Sequence, residues 1–518
     1  MRIHDFFQKF EGESFTYNDL ICLPDFINFS MEEINLTSKI TREITLRTPI
    51  ISSPMDTVTE ADLAIALALQ GGLGIIHYNM NPQDQLDQVQ KVKKFKNGFI
   101  SDPITLSPSS TIRDVVLIKK EHGYSIVPIT EDGKPHSKFL GLVTKYDYST
   151  LSLEDLEKPV WERMIPLERL STVVFEEFYS DGYFDLVKAN NRLLDSHQAA
   201  LPIIDRLGNL RYLMTRSDLQ KHQNYPLATT NSSQVLRVGA AIETWHNKAV
   251  ERLEALEKHV DLVIFDTSQG HSSYLVDLIK FTKSKYPHLQ IIGGNVVSSD
   301  ACEALIKAGA DGIRVGMGSG SICTTQEVGG VGRAQASAVY NCAQICKKKS
   351  IPLIADGGIT GSSDMVKAFI LGADSVMLGS LLASTSEAPG KCQIKNGILL
   401  KEYRGMGSSK AMQKGSSFRY STQNATIKIP EGVCGAVPSK GSISEWVPCL
   451  IQGVKQGFHK LGYKNFSELR CAFLDNKLML EKRSDEAKKE GSVHSLYEVM
   501  QDAPPTFSKS HHEDLINV

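Results

Sequence analysis

The sequence predicts an α/β fold, a (β/α)8 TIM barrel interrupted by an inserted domain, and three observations point there. From Leu236 onward, short apolar or β-branched runs alternate with stretches of helical periodicity, the pattern of βα units on a parallel sheet. Two similar runs far upstream bring the candidate strands to eight. Polar or glycine residues stand at the C-terminal ends of six of them, where barrel enzymes carry their working groups.

In chain order the strands are expected at 49–53, 72–76, 236–242, 260–266, 289–295, 311–317, 351–358 and 375–380, with a helix from Thr59 to Gln70 between the first two. The strand ends in question are Ser53, Asp266, Asn295, Gly316, Asp356 and Gly379. A doubly wound open sheet has the same periodicity, so the strand ends are what favour the barrel. The connection between the second and third strands is far longer than a βα unit needs, which predicts an inserted domain at 100–225 within a barrel formed by 1–99 and 226–499. The insert repeats itself: Ser125-Ile-Val-Pro-Ile-Thr130 matches Ala199-Ala-Leu-Pro-Ile-Ile204, and Val143-Thr-Lys-Tyr-Asp147 matches Met214-Thr-Arg-Ser-Asp218. The offsets are 74 and 71 residues, so the turn near Asp132-Gly-Lys-Pro135 is three residues longer than its counterpart. A second insertion, from about Pro389 to Leu469, is rich in glycine and serine and is expected to form a mobile flap. Residues 500–518 are expected to be a disordered tail.

Composition narrows the class of protein. Of 518 residues, 41% are hydrophobic and 22% charged, ordinary for a globular chain with a large core. A formal net charge of −2 offers no general attraction for nucleic acid or an anionic membrane, so a phosphate ligand must be held by local geometry. No apolar run has secretory or transmembrane length, and a cytoplasmic protein is expected. Nine cysteines without repeated spacing argue against a disulfide framework, and Cys342 and Cys346 read as neighbours on one helix. Lys347 to Lys349, like Lys91, Lys93, Lys94 and Lys96, read as solvated faces.

The richest segment is Gly316-Met-Gly-Ser-Gly-Ser-Ile-Cys-Thr-Thr-Gln326. Its glycines let backbone approach a ligand closely. A dinucleotide fingerprint would need glycine where Ser321 stands, so a Rossmann unit is not supported. A buried structural thiol is the ordinary fate of a free cysteine. A glycine loop at a barrel strand end is instead a poor place to bury one, and its backbone N–H dipoles favour a thiolate nucleophile at Cys323. Ala355-Asp-Gly-Gly-Ile359 and Leu378-Gly-Ser380 close the seventh and eighth strands, where barrels bind phosphate through backbone N–H groups. As a pair they favour a phosphate-bearing substrate.

These segments, with Ser52-Ser-Pro-Met-Asp-Thr-Val58, Gly293-Gly-Asn295, Tyr403-Arg-Gly-Met-Gly-Ser408 and Glu490-Gly-Ser-Val-His494, resemble the inosine monophosphate (IMP) dehydrogenases over barrel, flap and C-terminal segment. The inserted repeat resembles a pair of CBS modules. The resemblance implies that Cys323 adds to C2 of the hypoxanthine ring, that hydride passes to NAD, and that the thioimidate is then hydrolysed. It implies ribose binding by Asp356 and phosphate binding by Ser321, Gly357, Gly358, Gly379, Ser380 and Tyr403. Met406 and Gly407 would meet the base, with Ser53 and Met55 in the same pocket. Asp266, Thr267, Ser268, Asn295, Arg314, Gly316 and Gly318 map to the dinucleotide side.

The flap residues Arg419 and Tyr420, with Thr325 and Glu431, would activate water, Glu431 also lying against the substrate. Arginine is an unusual base because it is normally always charged, and exclusion of water on closure would lower the cost. Carbonyls of Gly318, Gly320 and Cys323, with Glu490, Gly491 and Ser492 of a neighbouring subunit, would bind a monovalent cation, potassium (K+). That implies a homotetramer, or an octamer formed through the CBS modules. A purine nucleotide effector would bind near Thr144, Asp147, Thr215 and Asp218. Tyr78 departs from the family, some members having a second histidine there, and Phe175-Glu-Glu-Phe-Tyr-Ser-Asp181 departs from the CBS pattern. The alternatives are a guanosine monophosphate (GMP) reductase using NADPH, against which the Arg419-Tyr420 flap and the insert argue, and a non-catalytic nucleotide sensor.

Overall fold

The computed structural model describes residues 1–95, 100, 103–149, 151–152, 154–180, 183–184, 186–216, 224–232, 235–414, 416, 427 and 429–495. The chain forms two compact units, one of Met1–Gln90 with Val238–Val518, the other of Lys91–Arg237. The expected tail at 500–518 lies outside the described residues. No helix among them is long and apolar enough to cross a membrane.

Eight parallel strands form the heart of the first unit: β1 Ile50–Ser52, β2 Ile75–Ile76, β3 Gly239–Ile242, β4 Leu262–Asp266, β5 Gln290–Val296, β6 Gly312–Val315, β7 Leu353–Asp356 and β8 Ser375–Leu378. They run in the order β1-β8-β7-β6-β5-β4-β3-β2. A parallel bridge from Ile51 to Leu73 brings β1 beside the chain entering β2, so the sheet nearly closes on itself. An open doubly wound sheet would leave two distant edges, and that alternative falls. Each predicted strand is present, and helix α1, Ala61–Leu69, stands where one was expected.

The barrel strands read as apolar runs because both their faces are covered. Ile51, Ile75, Ala241, Ile264, Ile292, Ile354 and Met377 belong to one buried cluster, joined by Ile40, Ile44 and Leu46 of a short N-terminal hairpin. That hairpin lies at the end where the strands begin: the Ile40 carbonyl sits against Gly312, where an added Cβ would be 2.5 Å away. The barrel is therefore plugged at its N-terminal end, and a cavity can form only at the other.

The segment after β8 corrects the expectation of a loop. Strands β9 Cys392–Lys395, β10 Ile398–Arg404 and β11 Cys434–Pro438 form an antiparallel sheet. Residues 443–460, expected within the mobile flap, are instead a regular helix, Ile443–Lys460. Ile443, Val447, Leu450, Val454 and Phe458 form its buried stripe.

The second unit holds two three-stranded sheets. In one, Ile126–Thr130 pairs with Phe139–Thr144; in the other, Ala200–Ile204 pairs with Leu210–Thr215. The register shifts at Ile129/Thr130 in the first and at Ile203/Ile204 in the second, matching positions of the repeat. The connecting loops span 131–138 and 205–209, the length difference that the sequence offsets require. The helices account for the poor match of the second copy. A regular helix, Ile112–His122, serves the first, whereas a short helix, Phe175–Phe178, and a small hairpin precede Leu186–Asp195 in the second.

Candidate active site

A cavity of about 300 Å³ lies at the C-terminal end of the barrel. Its walls come from the β1 end (Ser53, Met55), the β5 and β6 ends (Asn295, Arg314, Gly316), the loop from Met317 to Cys323, the turn Asp356–Thr360, the β8 end (Met377–Ser380) and the later segment (Tyr403, Gly405, Met406, Glu431). Ser268, Thr325, Gly318, Gly320 and Ser321 line it as well.

Cys323 is half-buried on this wall. Its Sγ lies 3.1 Å from the Thr325 Oγ1 atom, and that hydroxyl donates to Glu431 Oε2 at 2.9 Å. Because the single Thr325 hydrogen is committed to Glu431, its oxygen can accept from the thiol. The three side chains thus form a path along which a proton can leave Cys323 for a carboxylate, or leave a water bound beside it. Backbone pairing holds the path in register: Thr324 N–H donates to the Glu431 carbonyl at 3.0 Å, and Val433 N–H to the Ile322 carbonyl at 3.0 Å. The nucleophile loop is therefore fixed by a segment more than a hundred residues away in the chain.

The loop follows β6 closely because Gly316 can do what other residues cannot. Its φ is +148°, and a Cβ there would stand 2.0 Å from the Asp356 carbonyl oxygen. Gln335, at the start of a helix from Gln335 to Lys348, braces both pieces: its Nε2 donates to the Val315 carbonyl at 2.9 Å, and its Oε1 accepts from Ser319 Oγ at 3.1 Å.

Asp356 shares a charged cluster with the β4 to β6 ends. Its Oδ2 accepts from Asn295 Nδ2 at 2.9 Å and from Arg314 Nε at 2.9 Å, while Arg314 Nη1 donates to Asp266 Oδ1 at 2.5 Å. One guanidinium between two carboxylates keeps a buried charge paired, which isolated burial would not tolerate. Asp266 is fully buried against Arg314 and is not among the residues on the cavity wall. Thr267 is also off the wall, its hydroxyl donating to the Gln269 carbonyl at 3.3 Å. Asn295 Oδ1 is buried with no hydrogen-bond partner among the described residues, an acceptor left for a ligand donor.

Tyr403 on the cavity wall is almost fully buried, and burial pushes its phenol well above the usual range despite the opposing influence of the Ser321 hydroxyl. Its Oη crowds Gly379, where a Cβ would be 2.6 Å away. Gly407, expected at the base, is not on the wall, and its carbonyl accepts the Glu431 N–H at 3.0 Å. Glu490, Gly491 and Ser492 end a short helix and do not line this cavity in their own chain. Arg419, Tyr420 and Asp218 lie outside the described residues. In the other unit Thr144 and Asp147 satisfy one another, the Asp147 carboxylate accepting from the Thr144 N–H and hydroxyl at 2.7 Å each, while Thr215 ends the equivalent strand.

Ser319, Ile322, Thr360 and Met377 are among the wall residues that sequence reasoning left without a role. The first two sit inside the loop that had been singled out, and Thr360 lies two residues beyond Gly358, so proximity was the available signal. Met377 had none, since it reads as a barrel strand residue.

A family model described as the IMP dehydrogenase / GMP reductase domain matches residues 14–494. The chain is 41% identical to the inosine-5'-monophosphate dehydrogenase of Toxoplasma gondii, over 93% of this chain and 96% of that protein. It is 42% identical to that of Schizosaccharomyces pombe, over 94% and 92%. A crystal structure of a GMP reductase variant from Trypanosoma brucei, in complex with guanosine 5'-monophosphate, superposes with a TM-score of 0.82 at 30% identity, covering 94% of this chain and 99% of that one. Such coverage leaves no room to omit the inserted unit, so the insert does not separate dehydrogenase from reductase, contrary to the expectation above. By fold, by cavity and by these likenesses, the chain belongs to the IMP dehydrogenase / GMP reductase family.

Proposed function

We propose that the chain oxidises IMP to xanthosine 5'-monophosphate with NAD as hydride acceptor, the committed step toward guanine nucleotides. The observation that carries this reading is the Cys323–Thr325–Glu431 path on the wall of a cavity framed by the Gly357-Gly358 turn and the Gly379-Ser380 strand end. The names of the relatives favour IMP oxidation over GMP reduction.

In this reading the phosphate sits against Ser321, Gly357, Gly358, Gly379, Ser380 and Tyr403, the ribose against Asp356, and the base against Met406, Ser53 and Met55. Cys323 as thiolate forms a bond to C2, and the hydrogen on C2 leaves with its electron pair. NAD, when bound, supplies the acceptor for that hydride; Ser268, Asn295, Arg314, Gly316 and Gly318 would hold it, and the unpartnered Oδ1 of Asn295 suits a donor of its carboxamide type. The resulting thioimidate takes up water at C2, the C–S bond breaks and Cys323 regains its proton. Thr325 and Glu431 are placed to take the proton of that water, with Arg419 and Tyr420 as partners from the flap.

Carbonyls of Gly318, Gly320 and Cys323 suit a monovalent cation such as K+. Gly318 and Gly320 each accept one hydrogen bond, from Gln326 Nε2 and Cys323 N–H, and a carbonyl keeps a second lone pair. Glu490, Gly491 and Ser492 would complete the set from a neighbouring subunit of a homotetramer. The repeated unit is read as a CBS pair binding a purine nucleotide effector. NADH formation from IMP and NAD tests the reading, with and without potassium. NADPH consumption with GMP, and none of NAD with IMP, would assign the reductase instead.

A further inference from the structure

The cavity has two kinds of wall, barrel ends and a later segment that crosses them, and something must hold the second against the first. Backbone pairing ties Glu431 and Val433 to the Cys323 loop, and a buried ion pair ties Arg404 to the β1 end. Arg404 ends β10, between Tyr403 and Gly405, and Asp56 directly follows Met55. Arg404 Nε donates to Asp56 Oδ1 at 2.9 Å and Nη2 to Oδ2 at 2.5 Å, a two-point fork that fixes angle as well as distance. The Arg404 N–H also donates to Thr57 Oγ1 at 3.2 Å. Asn79, just past β2, donates its Nδ2 to Asp56 Oδ2 at 2.8 Å and to the Ala411 carbonyl at 3.3 Å. The Asp56 side chain is 4% exposed and that of Arg404 10%. Burial alone would raise the Asp56 carboxyl, and the guanidinium nevertheless holds it below its ordinary range.

We propose that Asp56, Arg404 and Asn79 are positioning residues: they hold Tyr403 and Met406 in register with Ser53 and Met55 on the cavity wall and so set affinity for the nucleotide. This rests on the nucleotide reading of the cavity. None of the three lines the cavity, so they act through the neighbours that do. The walls grip the nucleotide in ground and transition states alike, so loosening one wall weakens binding more than the chemical step.

The test compares wild type, Arg404→Lys and a double variant, Asp56→Asn with Arg404→Gln, in which no buried charge is left alone. Thermal midpoint, IMP binding by calorimetry, and KM and kcat are measured. Lysine keeps the charge and loses the fork, so Arg404→Lys should raise Kd and KM for IMP about tenfold or more while kcat changes by less than about threefold. The double variant should regain thermal stability relative to Arg404→Lys yet keep the raised KM. KM does not depend on how much of the sample is folded, so a purely structural pair would leave it unchanged. An IMP KM within about twofold of wild type in either folded variant overturns the proposal, as does failure of both variants to fold, which would make the pair a stability element only. If wild type itself binds no IMP, it is the functional reading that fails.

Discussion

A thiol becomes useful when its proton has somewhere to go and its sulfur has something to attack. At Cys323 both conditions are met by neighbours a few ångströms away: Thr325 at 3.1 Å, Glu431 beyond it at 2.9 Å, and a cavity on the open side. The geometry predicts that Glu431→Gln and Thr325→Val keep IMP affinity and slow turnover by about 10²–10⁴-fold, the usual worth of a positioned acid–base group. Steady-state kinetics beside calorimetry checks this, and a normal kcat in both variants would remove the path from the mechanism. Cys323 itself was legible in the sequence because glycines crowd before it. The burial of Asp266 was not legible, since a carboxylate at a strand end looks the same whether it meets a ligand or an arginine beneath one.

At the scale of elements, periodicity gave the eight strands to within a few residues because both faces of each are covered. It failed after β8. Ile443, Val447, Leu450, Val454 and Phe458 recur at helical spacing, but the glycine and serine content of the preceding stretch carried the loop reading over them, and Gly453 and Gly457 lie inside the helix itself. Those glycines serve close approach: a Cβ at Gly457 would meet Val366 Cγ2 at 2.5 Å and one at Gly453 would meet Ser362 Oγ at 2.4 Å, both on the helix Ser362–Ile370. Phe458 packs edge-on against Phe369, their ring centres 6.1 Å apart. Phe458→Ala should therefore destabilise the first unit by about 3–5 kcal/mol, read as a lowered denaturation midpoint. A midpoint unchanged from wild type would mean that this helix is not part of the barrel's core.

The whole molecule places its chemistry at one end of a barrel plugged at the other, and carries its second unit in a single connection, between β2 and β3. The two halves of the insert share a hairpin register shift, which makes the repeat a structural one as well as a pattern of letters. Because the insert leaves and rejoins the barrel within one connection, replacing residues 100–225 with a short linker should keep IMP oxidation within about tenfold of the full chain. Loss of activity in a folded deletion protein would tie catalysis to the insert. What the nucleotide does in the barrel depends on one sulfur. The decisive measurement is a stoichiometric single turnover of the Cys323→Ala variant with IMP and NAD. IMP should bind with near wild-type affinity and no NADH should form; NADH at wild-type amplitude would show that this sulfur is not the nucleophile.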